Sequence, residues 1–177
     1  MPDLRAFFRT APMSEFSGTV YRICPVRYAG NLVSMRGSLL HGARYNIRGY
    51  FGALYTSVSR ETARLEMARY FTVPPIGGFV EASITLRLSR VVDMSKGSLL
   101  RKAGVVRKQL TETPFLITPE IGLRAWENGI EALLAPSAAH TAGHNLAVFL
   151  DNQRAGWQVT LESRSPEGLP EGLTEGL

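Results

Sequence analysis

The sequence predicts a single compact α+β domain. Three observations lead there. Strand-like segments outnumber helical ones and are separated by only two or three helices, which argues against a doubly wound sheet. No strand is followed by GxGxxG or GxxxxGK[ST], so neither phosphate loop of the common nucleotide folds is present. A chain of 177 residues with 45% hydrophobic and 20% charged content has the size and balance of one globular domain with a sizeable core.

Each element has a local reason. Thr19 to Cys24 (TVYRIC) is rich in β-branched and aromatic residues and reads as a strand, and Ala53 to Ser57 (ALYTS), bounded by Gly52, reads as another. Ser59 offers an N-cap to a helix over Arg60 to Phe71, with Ala63, Met67, Tyr70 and Phe71 on one side. Pro74-Pro75 and Gly77-Gly78 end it. Phe79 to Leu88 alternates as a strand does, and Arg90 to Met94 continues it or pairs with it. Thr118-Pro119-Glu120 reads as an N-cap threonine with proline at the first helical position, opening a helix that ends near Asn128-Gly129. Ile130 to Leu134, Asn145 to Leu150 and Trp157 to Leu161 complete the strands. Residues 1–18 read as an N-terminal extension, 19–162 as the body and 163–177 as an acidic low-complexity tail that repeats EGL. That tail is expected to be loosely attached, or else to form a one-turn amphipathic anchor.

Composition narrows the setting. The single Cys24 excludes an internal disulfide and any cysteine-based zinc site. No apolar run approaches the ~20 residues that span a bilayer, and the N-terminus lacks the apolar run of a signal peptide, so the expected setting is cytoplasmic. The net charge of +5 is uneven. Residues 162–177 carry a net −3 and the rest a net +8, a balance suited to an anionic small molecule, nucleic acid or an acidic protein partner. No nucleic-acid fold motif accompanies it, and basic residues are not interleaved with aromatic platforms. Between Met94 and Thr111 there is no acid but five bases, Lys96, Arg101, Lys102, Arg107 and Lys108. That stretch is either a solvated face or a docking surface for an acidic segment or for phosphates.

Chemistry concentrates in residues 42–66. Arg44, Tyr55 and Glu66 fall on three short consecutive elements, placed to converge on one cleft. A guanidinium suits a diphosphate and a lone carboxylate suits a developing sugar cation, which makes a nucleotide the first substrate to consider. Each residue has a plainer reading. Arg44, in a glycine-bounded turn, is commonly a surface ion pair; Tyr55 fits a core position with its hydroxyl bonded to backbone. Glu66 lies at the edge of its helix's apolar stripe, either at a solvated rim or aimed into a pocket, and Ser137 in LAPSA suits a turn cap. Other chemistries fit worse. No GxSxG elbow surrounds Ser137. His41, His140 and His144 lack a zincin pattern, since Gly143 disfavours a helix and position 141 is not glutamate; no metal is expected.

The order of these residues resembles the RES-domain family, named for its arginine, glutamate and serine. Gly42-Ala43-Arg44-Tyr45-Asn46 is similar to that family's GGRWN, Tyr55-Thr56-Ser57 to its YxS strand, and Leu65-Glu66 to its helix-borne LE. Pro136-Ser137 followed by Asn145-Leu146 resembles its PS…NL segment, and Tyr21-Arg22-Ile23 its opening strand. The resemblance spans roughly residues 19 to 151. It implies a fold similar to that of ADP-ribosyltransferases, with a few helices and mixed or antiparallel sheets around a cleft. It also implies the toxin of a bacterial toxin–antitoxin pair, one that cleaves the nicotinamide–ribose bond of NAD with water or inorganic phosphate. NAD would be the substrate, with no resident cofactor. The implied partner is a helix-turn-helix, Xre-like antitoxin; no direct nucleic-acid or membrane binding is implied, and a homo-oligomer is compatible with it. By position, Arg44, Tyr55, Glu66 and Ser137 are the catalytic candidates and Arg22, Asn46 and Asn145 the substrate-binding ones. Arg44 would pair with the pyrophosphate, Tyr55 stack on nicotinamide or ribose, and Glu66 stabilise the ribosyl cation or orient the nucleophile. Ser137 would bond the nicotinamide–ribose side or hold Glu66. An ADP-ribosyltransferase and a non-catalytic basic binding module are the alternatives. Two departures matter: Ala43 replaces a glycine and would be strained if its φ were positive, and Tyr45 replaces a tryptophan.

Overall fold

The computed structural model describes residues 3–71, 73 and 75–167. In chain order these form α1 (Leu4–Thr10), β1 (Ser14–Pro25), α2 (Arg36–His41), β2 (Leu54–Ser57), α3 (Arg60–Ala68) and β3 (Phe79–Asp93). Then come α4 (Gly97–Ala103), α5 (Arg107–Thr111), α6 (Thr118–Glu127), β4 (Ala132–Pro136), β5 (His144–Val148) and β6 (Gln158–Glu167), with 3₁₀ turns at Val26–Asn31 and Leu150–Asn152. The architecture is mixed α+β.

The long strand β3 organises the sheet. Its residues 79–87 run between β1 and β6, both antiparallel to it, and residues 91–93 pair in parallel with β4. From β4 the sheet passes antiparallel to β5, then to β2, and returns to β1 through one register, Tyr21↔Ser57. Five strands therefore form a closed circuit with β6 outside it. Where β3 changes partners, the Ser89 and Arg90 amides donate to the Glu131 Oε2 at 2.6 and 2.9 Å. Glu131 is 0% exposed, so its carboxylate takes the place of a strand neighbour at the bend.

Period-two alternation sends the side chains of β2, β4 and β5 into two cores. Leu54, Ala132, Leu146 and Val148 face a core with Val20, Ile84 and Leu86. Tyr55, Leu133, Ala135, Ala147 and Phe149 face a second core built with the helices, where Phe7, Phe8, Leu100, Leu110 and Ile121 are buried. A smaller cluster of Ile23, Ala63 and Phe79, with Met67 and Phe71, seats α3. Glycine lets α6 close on the loop before β2: a Cβ at Gly122 would lie 1.8 Å from the Tyr45 carbonyl oxygen.

Most sequence-derived elements are present, with shifted ends. Arg90–Asp93 continues β3 and does not form a separate strand. Ser59 caps α3 as expected, its Oγ accepting from the Thr62 amide at 3.1 Å, but the helix ends at Ala68 and Tyr70 is 69% exposed, not part of the apolar side. At α6 the cap is Ile117; Thr118 is the first helical residue and is buried, with Pro119 in the first turn. Helices α1, α2, α4 and α5 have no counterpart in the sequence reading. They are 5–7 residues long, too short to show a period, and exist by tertiary packing. Within the N-terminal stretch, Leu4, Phe7 and Phe8 enter the helical core and β1 begins at Ser14. At the other end β6 takes in residues 163–167 of the expected tail; the rest of the EGL segment, 168–177, lies outside the described residues. Among the described residues no helix is long and apolar enough to cross a membrane.

Two substitutions test these packings by thermal or denaturant unfolding. Glu131→Ala strands two buried amides and should cost about 3 kcal/mol. Gly122→Ala meets backbone that cannot yield and should cost about 2–3 kcal/mol.

Candidate functional site

One end of the β2–β5–β4 face carries the candidate chemistry. Registers Ser57↔Asn145 and Ala135↔Asn145 place Ser57 and Asn145 side by side there, and Ser137 lies two residues beyond Ala135 on the same face. Helix α3 lies against β1 and β2 and lowers Glu66 onto this end.

The Glu66 carboxylate is half-buried and gathers donors on one oxygen. Its Oε1 accepts from Ser137 Oγ at 2.6 Å, Asn145 Nδ2 at 2.6 Å and the Ala138 amide at 3.1 Å. Oε2 has no protein donor among the described residues. Of the two sequence readings, a solvated rim or a side chain aimed inward, the structure has the second. Ser137 is itself held: its Oγ accepts from the Ala139 and His140 amides at 3.1 and 3.0 Å, so its one proton goes to Glu66. His140 Nδ1 meets Thr62 Oγ1 at 2.9 Å, tying the loop after β4 to the first turn of α3. That loop fits only because position 143 is glycine; a Cβ there would lie 2.4 Å from Thr62 Oγ1.

Arg44 is engaged differently from the sequence expectation. Its Nη1 donates to the Leu110 and Glu112 carbonyls, both at 2.9 Å, and its Nη2 to Thr111 at 3.4 Å, capping the end of α5. The guanidinium lies over the Phe115 ring, 4.5 Å from its centroid. Of its five N–H groups, the Nε–H and one Nη2–H are not used by the described residues. Those two form a single edge of the guanidinium.

Tyr55 and Asn46 hold the turn that bears Arg44. The Tyr55 hydroxyl donates to Asn46 Oδ1 at 3.0 Å and accepts from the Tyr45 amide at 2.8 Å. Asn46 is buried and spends its Nδ2 on the Ser38 and Phe51 carbonyls. Burial pushes the Tyr55 phenol far above its ordinary range, and does the same to Tyr45, whose buried hydroxyl has no hydrogen-bond partner among the described residues. The turn itself is unstrained: its one positive φ, 72°, falls on Gly42, and among the described residues no non-glycine residue has positive φ. Alanine at 43 therefore carries no backbone penalty. Arg22 does not join the group around Glu66. It donates from Nη1 to the Leu32 and Ser34 carbonyls at 3.1 and 3.0 Å, and burial lowers its pKa.

The structure thus brings together Glu66, Ser137 and Asn145, and separately locks Tyr55 and Asn46 behind Arg44. It adds Ser57, whose Oγ donates to Asn145 Oδ1 at 2.7 Å. Ser57 closes the YTS that resembles the family's YxS strand, and it follows Tyr55 by two residues and so shares its face. Thr62 and His140 left no such signal, because their contact depends on the loop closing.

The profile of the RES domain matches residues 19–167. Among curated proteins none matches in sequence. A chain of the crystal structure of the M. tuberculosis MbcT–MbcA toxin–antitoxin complex superposes with a TM-score of 0.77 at 18% identity, over 97% of this chain and 95% of that one. That chain shares the fold, and the matching profile covers most of the sequence: the protein belongs to the RES domain family.

Proposed function

We propose that this protein cleaves the nicotinamide–ribose bond of NAD and acts in the cytoplasm as the toxin of a toxin–antitoxin pair. One observation carries the chemistry: Glu66 is anchored entirely through Oε1, which leaves Oε2 for a substrate. Nicotinamide departs neutral from a cationic precursor, so the step needs no general acid. What it needs is negative charge beside an oxocarbenium-like ribose. A carboxylate with one oxygen held by three donors offers that charge with little reorganisation. In this reading Oε2 faces the ribosyl cation or its hydroxyls and steers the incoming water or phosphate. Ser137 and Asn145 act through Glu66, not on nicotinamide.

The Arg44 edge formed by Nε–H and Nη2–H suits side-on bidentate pairing with one phosphate of the pyrophosphate. Its carbonyl and Phe115 contacts aim that edge in advance. Tyr55 and Asn46 then serve as the support of Arg44, and stacking on nicotinamide is no longer required of Tyr55. The helix-borne glutamate at one end of the β2–β5–β4 face supports an ADP-ribosyltransferase-like arrangement. The toxin assignment draws on the family and on the toxin–antitoxin complex that shares the fold. The proposed partner is a helix-turn-helix, Xre-like antitoxin with an acidic segment. Helices α4 and α5 present the acid-free basic stretch to it, and Arg101 and Lys102 line a cavity of about 440 Å³ beside α1.

Glu66→Gln tests the chemistry. Glutamine keeps an Oε1 acceptor for its three donors but loses the charge. Nicotinamide release from NAD, followed with and without phosphate, should fall by about 10²–10³; equal release by the variant and the parent protein overturns the mechanism. Ribosyl product attached to a macromolecule, in place of free ADP-ribose or its phosphate, would make the protein a transferase. For the partner, co-purification with the neighbouring gene's product should weaken as salt rises, and a salt-indifferent complex would exclude the basic face.

A further inference from the structure

Asn145 reaches Glu66 through one hydrogen bond, which turns its amide but does not by itself keep the side chain in place. An asparagine amide offers a donor on one side and an acceptor on the other, and the two orientations have nearly the same shape. Only one of them serves Glu66. A carboxylate accepts and does not donate, so Nδ2 must face Oε1, as it does at 2.6 Å. Reversed, the amide would set its Oδ1 against the carboxylate, oxygen to oxygen. Glu66 therefore sets the orientation, and what remains is to hold the correctly turned amide in place from its far side.

The group on that side is Ser57. It is buried, its Oγ lies 2.7 Å from Asn145 Oδ1, and it is the direct cross-strand partner of Asn145. With Oδ1 facing it, the hydroxyl has to donate. The β2 strand is pinned at the same residue by the one register that joins it to β1, Tyr21↔Ser57. The hydroxyl thus stands on backbone fixed from both sides.

We infer that Ser57 is a positioning residue of this site: its hydroxyl, donating to Asn145 Oδ1, fastens the amide that Glu66 has turned, so that its N–H stays on Oε1. This rests on the reading of Glu66 given above. Removing the hydroxyl leaves the half-buried Asn145 Oδ1 without its donor and frees the amide to move away from Glu66. Glu66 then loses one of its three donors for part of the time, and Oε2 is no longer aimed.

The test compares Ser57→Ala with Ser57→Thr, since threonine keeps a hydroxyl and suits a strand. In Ser57→Ala, kcat for nicotinamide release should fall about 10-fold, the equivalent of one lost hydrogen bond, with KM for NAD within about 2-fold. Ser57→Thr should recover most of the loss. The Asn145 side-chain amide, assigned in ¹⁵N spectra by its absence from Asn145→Ala, should be one slowly exchanging pair in the parent protein and in Ser57→Thr. In Ser57→Ala it should broaden or split. Parent-like kinetics and an unchanged amide in Ser57→Ala overturn the proposal. So does an equal loss in both variants with the amide unchanged, which would mark a packing defect. If the parent protein releases no nicotinamide, the function proposed for Glu66 falls by itself, and the amide signals alone decide for or against Ser57.

Discussion

Three donors on one carboxylate oxygen hold the centre of this molecule together. Glu66 sits on α3, whereas its partners Ser137, Ala138 and Asn145 come more than 70 residues later, from the end of β4, the loop after it and the start of β5. A half-buried carboxylate without such partners would be costly to desolvate. Satisfying it sets where α3 lies on the sheet, how the loop after β4 folds back, and which way Asn145 points. The Thr62–His140 contact and the glycine at 143 let that loop approach closely enough. Stability and the proposed chemistry are joined here, because the oxygen that fastens the helix belongs to the group proposed to meet substrate.

A second network stands behind Arg44 and is built on neutral groups. Tyr55 reaches from β2 to Asn46 and to the Tyr45 amide, Asn46 spans the turn, and Gly122 admits α6 against the Tyr45 carbonyl. Arg44 is braced in turn by the end of α5. A flexible arginine loses entropy when it binds an anion. Three carbonyls and an aromatic ring have already withdrawn much of that freedom. The same contacts make Arg44 part of the fold, so its loss would be felt in the α5 loop as well as in the proposed pairing with phosphate.

How much of this was legible beforehand depends on whether the signal was local. Strands β1 to β6 announced themselves through β-branched runs and alternation, and α3 through its serine cap, because those features lie within one segment. The short helices did not, since their few apolar residues have meaning only against partners far away. The site divides along the same line. Glu66, Ser137 and Asn145 were found from the order of short motifs, and the structure joins them. Tyr55 and Asn46 came from those motifs too, yet order cannot tell a residue that touches substrate from one that supports its neighbour. Arg22 stands in a matching motif as well, and its Nη1 is held by the carbonyls of Leu32 and Ser34, not by Glu66. Ser57 was within reach of a period-two argument, whereas the Thr62–His140 contact depends on a loop conformation that no local pattern encodes.

The wide separation of contacting segments has a consequence for how the molecule comes into being. Phe7 and Phe8 on α1 are buried among residues of α4 and α6 and the strands beyond, roughly a hundred positions further along. At ~5–20 residues per second of synthesis, those aromatic rings wait on the order of 10 s before their partners leave the ribosome. Glu66 likewise waits for Ser137 and Asn145, which arrive in the last third of the described chain. The nascent protein therefore passes through a long interval with a glutamate and no site around it. A partner that recognises the finished arrangement has that interval in which to be present.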